Sequence, residues 1–272
     1  MSTMKLGVIG AGFVGGAVIN GFDTDSVEMY VVDPKKDKHN SIKELVEFSP
    51  AMCFVCVPTP ESKDGSIDVT IAKQVLQELD ERSYRGIVIV KSTITPDHLT
   101  KFKKNYNLKL VYNPEFLTEA NAHQDFINPN MQVLGGKWRD CDAVEKAYVR
   151  HSKVKTVPTY KVDLITASLI KYTINSWLAT KVTFFNELYQ LHQQSGSHSD
   201  WAQFTEMLGT DSRMGKSHMQ VPGPDGKFGF GGHCFPKDTQ ALLHYAGKNN
   251  VDLSVLEKAV KVNDKLRDQK HG

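Results

Sequence analysis

A short apolar segment at residues 5–9 runs straight into the glycine-rich sequence Gly10-Ala11-Gly12-Phe13-Val14-Gly15, and a helical pattern follows. Glycine here permits a tight turn, lets a ligand approach the main chain and lets a helix pack closely on a strand. The G-x-G-x-x-G spacing by itself is weak evidence, but a strand before it and a helix after it strengthen the case. The junction therefore predicts the first βαβ unit of a parallel α/β sheet.

An acidic residue, Asp33, ends the next predicted strand at 29–33, eighteen positions beyond Gly15. In a dinucleotide-binding unit, a carboxylate at this distance accepts hydrogen bonds from ribose hydroxyls, and its charge repels a 2′-phosphate. Asp33 therefore favours NAD over NADP, although nearby lysines weaken the preference. A glycine turn that binds nothing is the alternative. The predicted cofactor-binding residues of this segment are Gly10, Ala11, Gly12, Phe13, Val14, Gly15, Asp33 and Lys38.

Strand and helix patterns continue to alternate along the first half of the chain. Helices are predicted over 42–48, 69–81 and 96–105, and strands over 52–57, 87–90, 109–112 and 131–134. Apolar, β-branched strands that alternate with helices are typical of a parallel sheet covered on both faces. We therefore expect an α/β fold: an N-terminal Rossmann-like, doubly wound parallel sheet in residues 1–160, then an all-helical domain with a long central helix in residues 161–272.

Polar residues follow three of the predicted strands. Ligands of doubly wound sheets bind beyond the carboxyl ends of the strands, so residues at those ends are candidates for contact with cofactor and substrate. Any one of them alone is more often ordinary loop chemistry. The candidates are Pro58 and Thr59 after the third strand, Ser92 and Thr93 after the fourth, and Glu115 after the fifth.

The segment from Val162 to about Gln194 contains neither proline nor glycine and predicts one long helix. Lys171 and Asn175 are four residues apart, so they share one helix face. Apolar residues occur on more than one side, which indicates burial between domains or subunits. From spacing alone, a solvated polar stripe is the favoured interpretation of Lys171 and Asn175.

Composition excludes several classes of protein. The formal net charge of the 272 residues is +2, so there is no bulk electrostatic case for binding nucleic acid or a membrane surface. No apolar run approaches the roughly 20 residues that a membrane helix needs. The N-terminus shows no signal-peptide pattern. We expect a cytoplasmic protein.

The cysteines give no sign of a disulfide framework or of a metal site. The four of them, Cys53, Cys56, Cys141 and Cys234, are too few and too scattered for a disulfide scaffold. Cys53 and Cys56 have C-x-x-C spacing but fall within one predicted strand, whose alternation places them on opposite faces. A metal or redox pair is therefore not expected, and the compartment is predicted to be reducing.

The fourth cysteine stands in a different setting, the segment Gly229-Phe230-Gly231-Gly232-His233-Cys234-Phe235-Pro236-Lys237-Asp238. The preceding loop is long and rich in glycine and proline, and uncommonly long loops are often functional. Lys237 can favour the thiolate, which is the reactive form of cysteine, and Asp238 can orient a proton carrier. Cys234 is thus a candidate nucleophile, with a small buried apolar residue as the alternative.

Taken together, these segments resemble the UDP-glucose/GDP-mannose dehydrogenase family over essentially the whole chain. The last of five motifs is close to diagnostic, and their order matches the family. The motifs are Gly-Ala-Gly-Phe-Val-Gly at 10–15, Lys-Ser-Thr at 91–93, Asn-Pro-Glu-Phe-Leu-Thr-Glu at 113–119, Lys-Tyr-Thr-Ile-Asn at 171–175, and Gly-Phe-Gly-Gly-His-Cys-Phe-Pro-Lys-Asp at 229–238.

The resemblance implies an NAD-dependent, four-electron oxidation of a nucleotide sugar's primary alcohol to a carboxylate, with UDP-glucose to UDP-glucuronate as the expected reaction. It implies that Cys234 adds to the intermediate aldehyde and passes through a thiohemiacetal and a thioester. An aldehyde must first receive a nucleophile before it can lose hydride, and a thiolate serves well. Lys171 and Asn175 would flank the reacting carbon, with Lys171 suited to proton transfer and to stabilising oxyanion charge.

The same resemblance implies the remaining roles. Asp238 and Thr93 would hold the hydrolytic water, Glu115 would act in thioester hydrolysis, and Glu119 would lie near the nicotinamide ribose. Arg213 would reach the substrate across the interface of a homodimer formed through the long helix. The resemblance also implies that the substrate is contacted by Phe116, Leu117, Phe230 and Gly231, and that the cofactor is contacted by Lys237.

Two departures from the family pattern bear on function. Family members continue into a second Rossmann-like domain, whereas this chain stops at Gly272, so we expect that domain to be absent. The loop before Cys234 carries an insertion-like segment, 217–226, which is expected to replace some of the missing contacts. Alternatives are a non-catalytic NAD- or nucleotide-sugar-binding remnant, one part of a two-chain enzyme, a dehydrogenase of GDP-mannose or another nucleotide sugar, and a simpler hydroxyacid dehydrogenase.

Overall fold

The structure is a computed structural model that describes residues 3–35, 40–118 and 120–268. The chain divides into two compact units. The first comprises Met1–Ser62 and Ile67–Lys171, and the second comprises Lys63–Ser66 and Tyr172–Gly272. The sequence predicts a domain boundary between residues 160 and 161, which lies eleven positions before the boundary along the chain between Lys171 and Tyr172.

The first unit is built on a seven-stranded sheet with the strand order β2-β1-β3-β4-β5-β6-β7. Strands β1 to β5 run parallel to one another, as the alternation of strands and helices predicts. The strands are β1 (Met4–Ile9), β2 (Val27–Val32), β3 (Met52–Val55), β4 (Ile87–Val90), β5 (Lys109–Tyr112), β6 (Gln132–Gly136) and β7 (Thr159–Val162).

Strand β6 departs from the fully parallel arrangement that the sequence predicts. It pairs antiparallel with β5, through Val111 opposite Gly136 and Tyr112 opposite Gly135, and β7 then pairs parallel with β6. A parallel pair needs a crossover that returns the chain to the opposite end of the sheet. The helix between β5 and β6 has only six residues, about 9 Å of rise, and the chain re-enters the sheet at the end where it left.

Six helices of the first unit connect these strands. The second of them begins with a capping box in which Ser41 and Glu44 satisfy each other's main-chain amides. The helices are α1 (Phe13–Phe22), α2 (Ile42–Phe48), α3 (Thr70–Glu81), α4 (Pro96–Asn105), α5 (Ala122–Ile127) and α6 (Trp138–His151).

The core of the first unit lies against the parallel strands. All four residues of β3 and all four of β4 are buried, as expected for strands covered on both faces. Phe22, Phe54 and Tyr148 form a cluster of tilted and edge-on rings in this core, with ring centroids 5.1 to 6.1 Å apart. Such burial of large apolar side chains is the main source of the unit's stability.

The second unit is helical. The long helix α7 begins in the first unit and continues through the second, and its 31 residues match the proline- and glycine-free segment closely. None of the helices among the described residues is both long and apolar enough to span a membrane. The helices are α7 (Leu164–Gln194), α8 (Trp201–Gly209), α9 (Phe235–Lys248) and α10 (Ser254–Asp268).

Two apolar clusters are formed by described residues of the second unit. The first centres on Phe185 and Trp201, together with Met219 and Val221 from the long loop before α9. The second joins Ala179, Phe230 and Val260. The insertion-like segment 217–226 is therefore anchored in its own unit by Met219 and Val221, while Pro222 and residues 224–226 are exposed.

Candidate active site

The glycine-rich loop lies at the switch point of the sheet, where β1 has β2 on one side and β3 on the other. Gly10 has φ +88°, and a Cβ there would lie 2.8 Å from the Cys56 carbonyl oxygen. A Cβ on Gly15 would overlap the Gly10 carbonyl oxygen. A Cβ on Gly12, by contrast, would meet no atom within 4 Å, and no side chain caps the helix that Gly12 begins. This open helix N-terminus is the arrangement that accommodates a phosphate group.

The Asp33 carboxylate is tied to the glycine-rich loop. One of its oxygens accepts the Ala11 amide proton at 2.7 Å, and the other accepts the Lys35 amide proton at 2.9 Å. The loop and the acidic residue are thus hydrogen-bonded to each other beyond the ends of β1 and β2. Together they fit the pyrophosphate and ribose of NAD. Phe13 and Val14 begin the helix after this loop. The predicted contact Lys38 lies outside the described residues.

Hydroxyl groups cross-link the segments that follow β3 and β4. Thr59 donates to the Thr93 carbonyl oxygen at 2.9 Å, and Ser92 donates to the Val57 carbonyl oxygen at 2.6 Å. Both hydroxyl-bearing residues are buried. The predicted residues at these two strand ends therefore lie together, with Pro58 beside Thr59. The two hydroxyl groups hold the strand ends in place through their hydrogen bonds.

Glu115, after β5, is paired with Lys171 on α7. The ammonium lies 2.8 Å from a carboxylate oxygen and 2.6 Å from the Glu115 carbonyl oxygen, and the Leu117 amide donates to the other carboxylate oxygen at 2.7 Å. The exposed fractions of the Lys171 and Glu115 side chains are 2% and 6%. Burial would raise the Glu115 pKa, but the ammonium and these hydrogen bonds outweigh it and hold the pKa below its ordinary value.

The residues after Glu115 continue along the same edge. The Lys171 ammonium lies 5.5 Å from the centroid of the Phe116 ring, which is a favourable position for a cation over an aromatic face. Leu117 packs against the core of the first unit. Glu119, predicted to lie near the nicotinamide ribose, falls outside the described residues.

A second buried lysine, Lys91, has no role assigned by the sequence analysis. Its ammonium donates to the Asn113 side-chain oxygen at 3.0 Å, and the same oxygen accepts the Tyr148 hydroxyl at 2.7 Å. Burial lowers the pKa of Lys91 to about 8, partly offset by Cys56 and Glu115. Lys91 and Asn113 stand in two of the five motifs, at strand ends, and that position was the signal available in the sequence.

In the second unit, Asp238 is the centre of a polar cluster. It is fully buried, with one carboxylate oxygen 2.6 Å from the Asn175 amide nitrogen and the other 2.6 Å from the Lys237 ammonium. Asn175 lies one turn after Lys171 on α7, so the two share a helix face, and both are buried rather than forming a solvated stripe. The ammonium that the sequence analysis assigns to thiolate stabilisation is paired with Asp238.

Cys234 occupies the N-cap position of α9, directly before Phe235. Its side chain is partly exposed, whereas Cys53, Cys56 and Cys141 are buried. Burial raises the pKa of Cys56 to about 12 and that of Cys141 to about 11, which makes both poor nucleophiles at neutral pH. Cys234 is the cysteine with the position and exposure of a reactive residue.

The other residues assigned to substrate lie in different environments. Phe230 is buried, and a Cβ on Gly231 would overlap the guanidinium of Arg267. Arg213 is 88% exposed, and its guanidinium makes a two-point ion pair with Asp211, with distances of 3.0 and 2.6 Å. Among the described residues, no group of three or more His, Cys, Asp or Glu side chains is placed to hold a metal ion.

Residues 165–265 match the central domain of the UDP-glucose/GDP-mannose dehydrogenase family, and residues 39–152 match that family's NAD-binding domain. The chain belongs to the UDP-glucose/GDP-mannose dehydrogenase family. The predicted fold class is confirmed, and the match to the NAD-binding domain agrees with NAD as the cofactor.

Relatives within this family extend the comparison. The chain is 31% identical over 252 residues to UDP-glucose 6-dehydrogenase TuaD of Bacillus subtilis (strain 168). The aligned region covers 89% of this chain and 52% of the relative. The chain spans about half the length of the curated relatives it matches.

Solved structures show the same likeness. A UDP-glucose dehydrogenase from the archaeon Pyrobaculum islandicum superimposes with a TM-score of 0.83 at 25% identity, over 97% of this chain and 68% of the other. A Mycobacterium tuberculosis 3-hydroxyisobutyrate dehydrogenase gives a TM-score of 0.71 at 13% identity, over 97% of this chain and 93% of the other, a likeness in fold alone.

Proposed function

We propose that this chain carries out the NAD-dependent, four-electron oxidation of a nucleotide sugar's primary alcohol to a carboxylate. The observation that carries the proposal is the setting of Cys234: a partly exposed cysteine that heads α9, whose buried Asp238 is paired with Asn175 of the long helix. A dehydrogenase that stops at the aldehyde has no use for such a nucleophile, whereas one that continues to the acid requires it.

The cofactor would be held by the glycine-rich loop and Asp33. Gly12 leaves space for the pyrophosphate at the start of α1, and the carboxylate of Asp33 suits the adenosine ribose hydroxyls. Lys237, Thr59 and Ser92 complete the proposed cofactor contacts. When bound, NAD supplies a hydride acceptor, and two molecules are needed because the reaction removes four electrons.

The thiolate of Cys234 forms a bond to the carbonyl carbon of the intermediate aldehyde, and the carbonyl oxygen takes up a proton to give a thiohemiacetal. Loss of hydride and of that proton leaves a thioester. Water then adds to the thioester carbon, the carbon–sulfur bond breaks, and the products are a carboxylate and the free thiol. The alcohol has already lost one hydride and one proton to give this aldehyde, so over the whole reaction the atoms and electrons balance with one water molecule consumed and two hydrides removed.

The buried polar groups suit the remaining steps. Lys171 would exchange a proton with the reacting oxygen or stabilise its charge, a role supported by its buried ammonium, and Asn175 shares that helix face. Glu115, kept ionised by Lys171, can take a proton from the hydrolytic water, which Asp238 and Thr93 would hold. Phe116 and Leu117 would line the sugar.

The substrate that we propose is UDP-glucose, with UDP-glucuronate as product. Its support is that the curated relative from Bacillus subtilis and the structure from Pyrobaculum islandicum bear the name of UDP-glucose dehydrogenases. Phe230 and Gly231 are proposed to contact the nucleotide sugar through their loop. None of the four cysteines, which all lie among the described residues, forms a disulfide, and we propose a reducing, cytoplasmic setting.

We also propose a homodimer that forms through α7. Trp177, Phe184 and Leu191 are 63%, 56% and 63% exposed and recur at seven-residue intervals, so they form one apolar stripe along the helix. Large aromatic and aliphatic side chains in one exposed row are typical of an interaction surface. Arg213 of one copy would reach the substrate of the other.

The test is anaerobic incubation of the purified chain with NAD and a panel of UDP- and GDP-sugars, with NADH and acid measured together. We expect two NADH and one carboxylate per UDP-glucose. One NADH per substrate would indicate an ordinary alcohol dehydrogenase, and binding without NADH would indicate a non-catalytic protein.

A Cys234→Ser variant should stop before the free acid, and Cys141→Ser is the matched control that should leave the stoichiometry unchanged. Full two-step turnover by Cys234→Ser would rule out the covalent route.

A further inference from the structure

Two buried asparagines bind consecutive main-chain groups in the glycine-rich loop that leads to Cys234. Asn186 on α7 accepts the amide proton of Gly229 at 2.9 Å. Asn263 on α10 accepts the amide proton of Phe230 at 2.6 Å and donates to the carbonyl oxygen of the same residue at 3.1 Å. The loop is thus held by side chains from two helices at two adjacent residues.

The glycine at position 229 is required by this arrangement. Its φ is +72°, a conformation that side-chain-bearing residues rarely adopt, and a Cβ would overlap the Asn263 side-chain oxygen. A residue without a side chain is therefore needed to let the Asn263 amide reach the main chain of Phe230. Gly229 and Asn263 therefore act together in holding the loop, although they are 34 positions apart in the sequence.

The hydrogen bonds of both asparagines are well satisfied. Asn186 and Asn263 are 1% and 4% exposed, so an unpaired amide at either place would be costly. Asn186 uses its remaining amide group to donate to the Val182 carbonyl oxygen at 2.8 Å, which fixes the orientation of its side chain on α7. Each side chain is therefore held in one orientation and presents its oxygen to the loop.

Cys234 is joined to Phe230 by the short segment Gly231-Gly232-His233. Two successive glycines leave the main chain with wide conformational freedom. Phe230 itself packs against Ala179 and Val260, and its ring lies 6.2 Å from that of Phe235, the first residue of α9. Cys234 thus lies between Phe230, which the asparagines and this packing fix, and the first turn of α9, where the Asp238 amide donates to the Cys234 carbonyl oxygen at 2.9 Å. Fixing Phe230 limits how the short segment between them can enter α9.

We infer that Asn263, assisted by Asn186, is a positioning residue that fixes the loop and thereby places the Cys234 sulfur for attack. The inference rests on the proposed function for its catalytic consequence, but the fixing of the loop is a separate, measurable property. Misplacement of a reacting group by about 1 Å can reduce a rate by about 100-fold. Loss of the Asn263 hydrogen bonds should therefore lower kcat more than it weakens binding of substrate or cofactor.

The experiment compares Asn263→Ala, Asn263→Asp and Asn186→Ala with wild type. Asn263→Asp keeps the size of the side chain and removes the donor to the Phe230 carbonyl, so it remains informative if the alanine variant folds poorly. Asn249→Ala is the matched control, because Asn249 caps α9 with a hydrogen bond to Tyr245 and lies away from the loop. The measurements are main-chain hydrogen exchange, the thermal unfolding midpoint, and kcat and KM for NADH formation.

For the Asn263 variants we expect exchange to accelerate at least about tenfold in the peptide 227–236 and to stay unchanged in α8. We expect kcat to fall about tenfold or more with the KM for NAD within about twofold. Unchanged loop exchange and kcat in a folded variant would overturn the inference, as would acceleration spread evenly over the second unit. If wild type oxidises no nucleotide sugar, the proposed function fails, and hydrogen exchange, which needs no substrate, still decides whether Asn263 fixes the loop.

Discussion

The ammonium of Lys171 lies 2.8 Å from the carboxylate of Glu115, and both side chains are almost completely buried. Removing one partner of such a pair leaves an uncompensated buried charge, which typically costs about 3–5 kcal/mol. We therefore expect Lys171→Met to lower the free energy of unfolding by about that amount. Urea unfolding measures it. The double variant Lys171→Met, Glu115→Gln should recover much of the loss, and no recovery would show that the effect is not electrostatic.

The same pair predicts a dependence of stability on pH. The Glu115 pKa in the folded chain lies below its ordinary value of 4.5, so its contribution is fully present above about pH 4.5 and is lost as pH falls through the folded pKa. Wild type should therefore lose stability below pH 4.5 more steeply than Glu115→Gln does. The measurement is the unfolding free energy between pH 3 and pH 7. Glu28→Gln, an exposed position on β2, is the control and should follow wild type.

Cysteine labelling should single out Cys234. The other three thiols are buried, and burial raises the pKa of Cys53 far above the ordinary range. We expect native protein to incorporate one equivalent of iodoacetamide rapidly and denatured protein to incorporate four, as counted by mass spectrometry. Cys234→Ser should abolish the rapid phase. Rapid labelling of Cys53 or Cys56 in the native protein would contradict the burial seen here.

Two glycines near the start of α1 offer a matched test of the cofactor site. A Cβ at Gly12 or at Gly16 would meet no neighbouring atom, so alanine at either position should leave the chain folded. Only Gly12 lies where the pyrophosphate is expected, so Gly12→Ala should weaken NAD binding about tenfold, or about 1.4 kcal/mol. Calorimetric titration measures this. Equal affinities for the Gly12→Ala and Gly16→Ala variants would count against phosphate binding at this helix.

The apolar stripe on α7 predicts a change in assembly. Phe184→Glu places a charge in the middle of the stripe, and burying that charge at an interface without a partner is costly. We expect the variant to sediment as a monomer under conditions where wild type is a dimer. Val255→Glu makes the same kind of change at a 77% exposed position on α10 and should leave the assembly unchanged. A dimeric Phe184→Glu variant would place the interface elsewhere.

Much of the first unit, and the long helix α7, could be predicted because their signals are local. Periodicity and the positions of glycine and proline predict the strand–glycine–helix junction at 10–15, the buried strands β3 and β4, and the uninterrupted helix α7. The sequence does not predict the antiparallel direction of β6, the short elements α5 and β7, or the 14-residue helix α6. The direction of a strand and the pattern of a short element depend on what they pack against.

The sequence by itself determined which residue types stand at the strand ends, on the long helix and around Cys234, because local chain geometry sets those positions. The tertiary structure decided which of them pair. Glu115 meets Lys171 across 56 positions, Asn175 meets Asp238 across 63, and Asn263 meets Phe230 across 33. The spacing of residues along the chain does not predict such long-range contacts. They arise because folding closes long loops and buries polar groups, and each buried polar group must then find a partner.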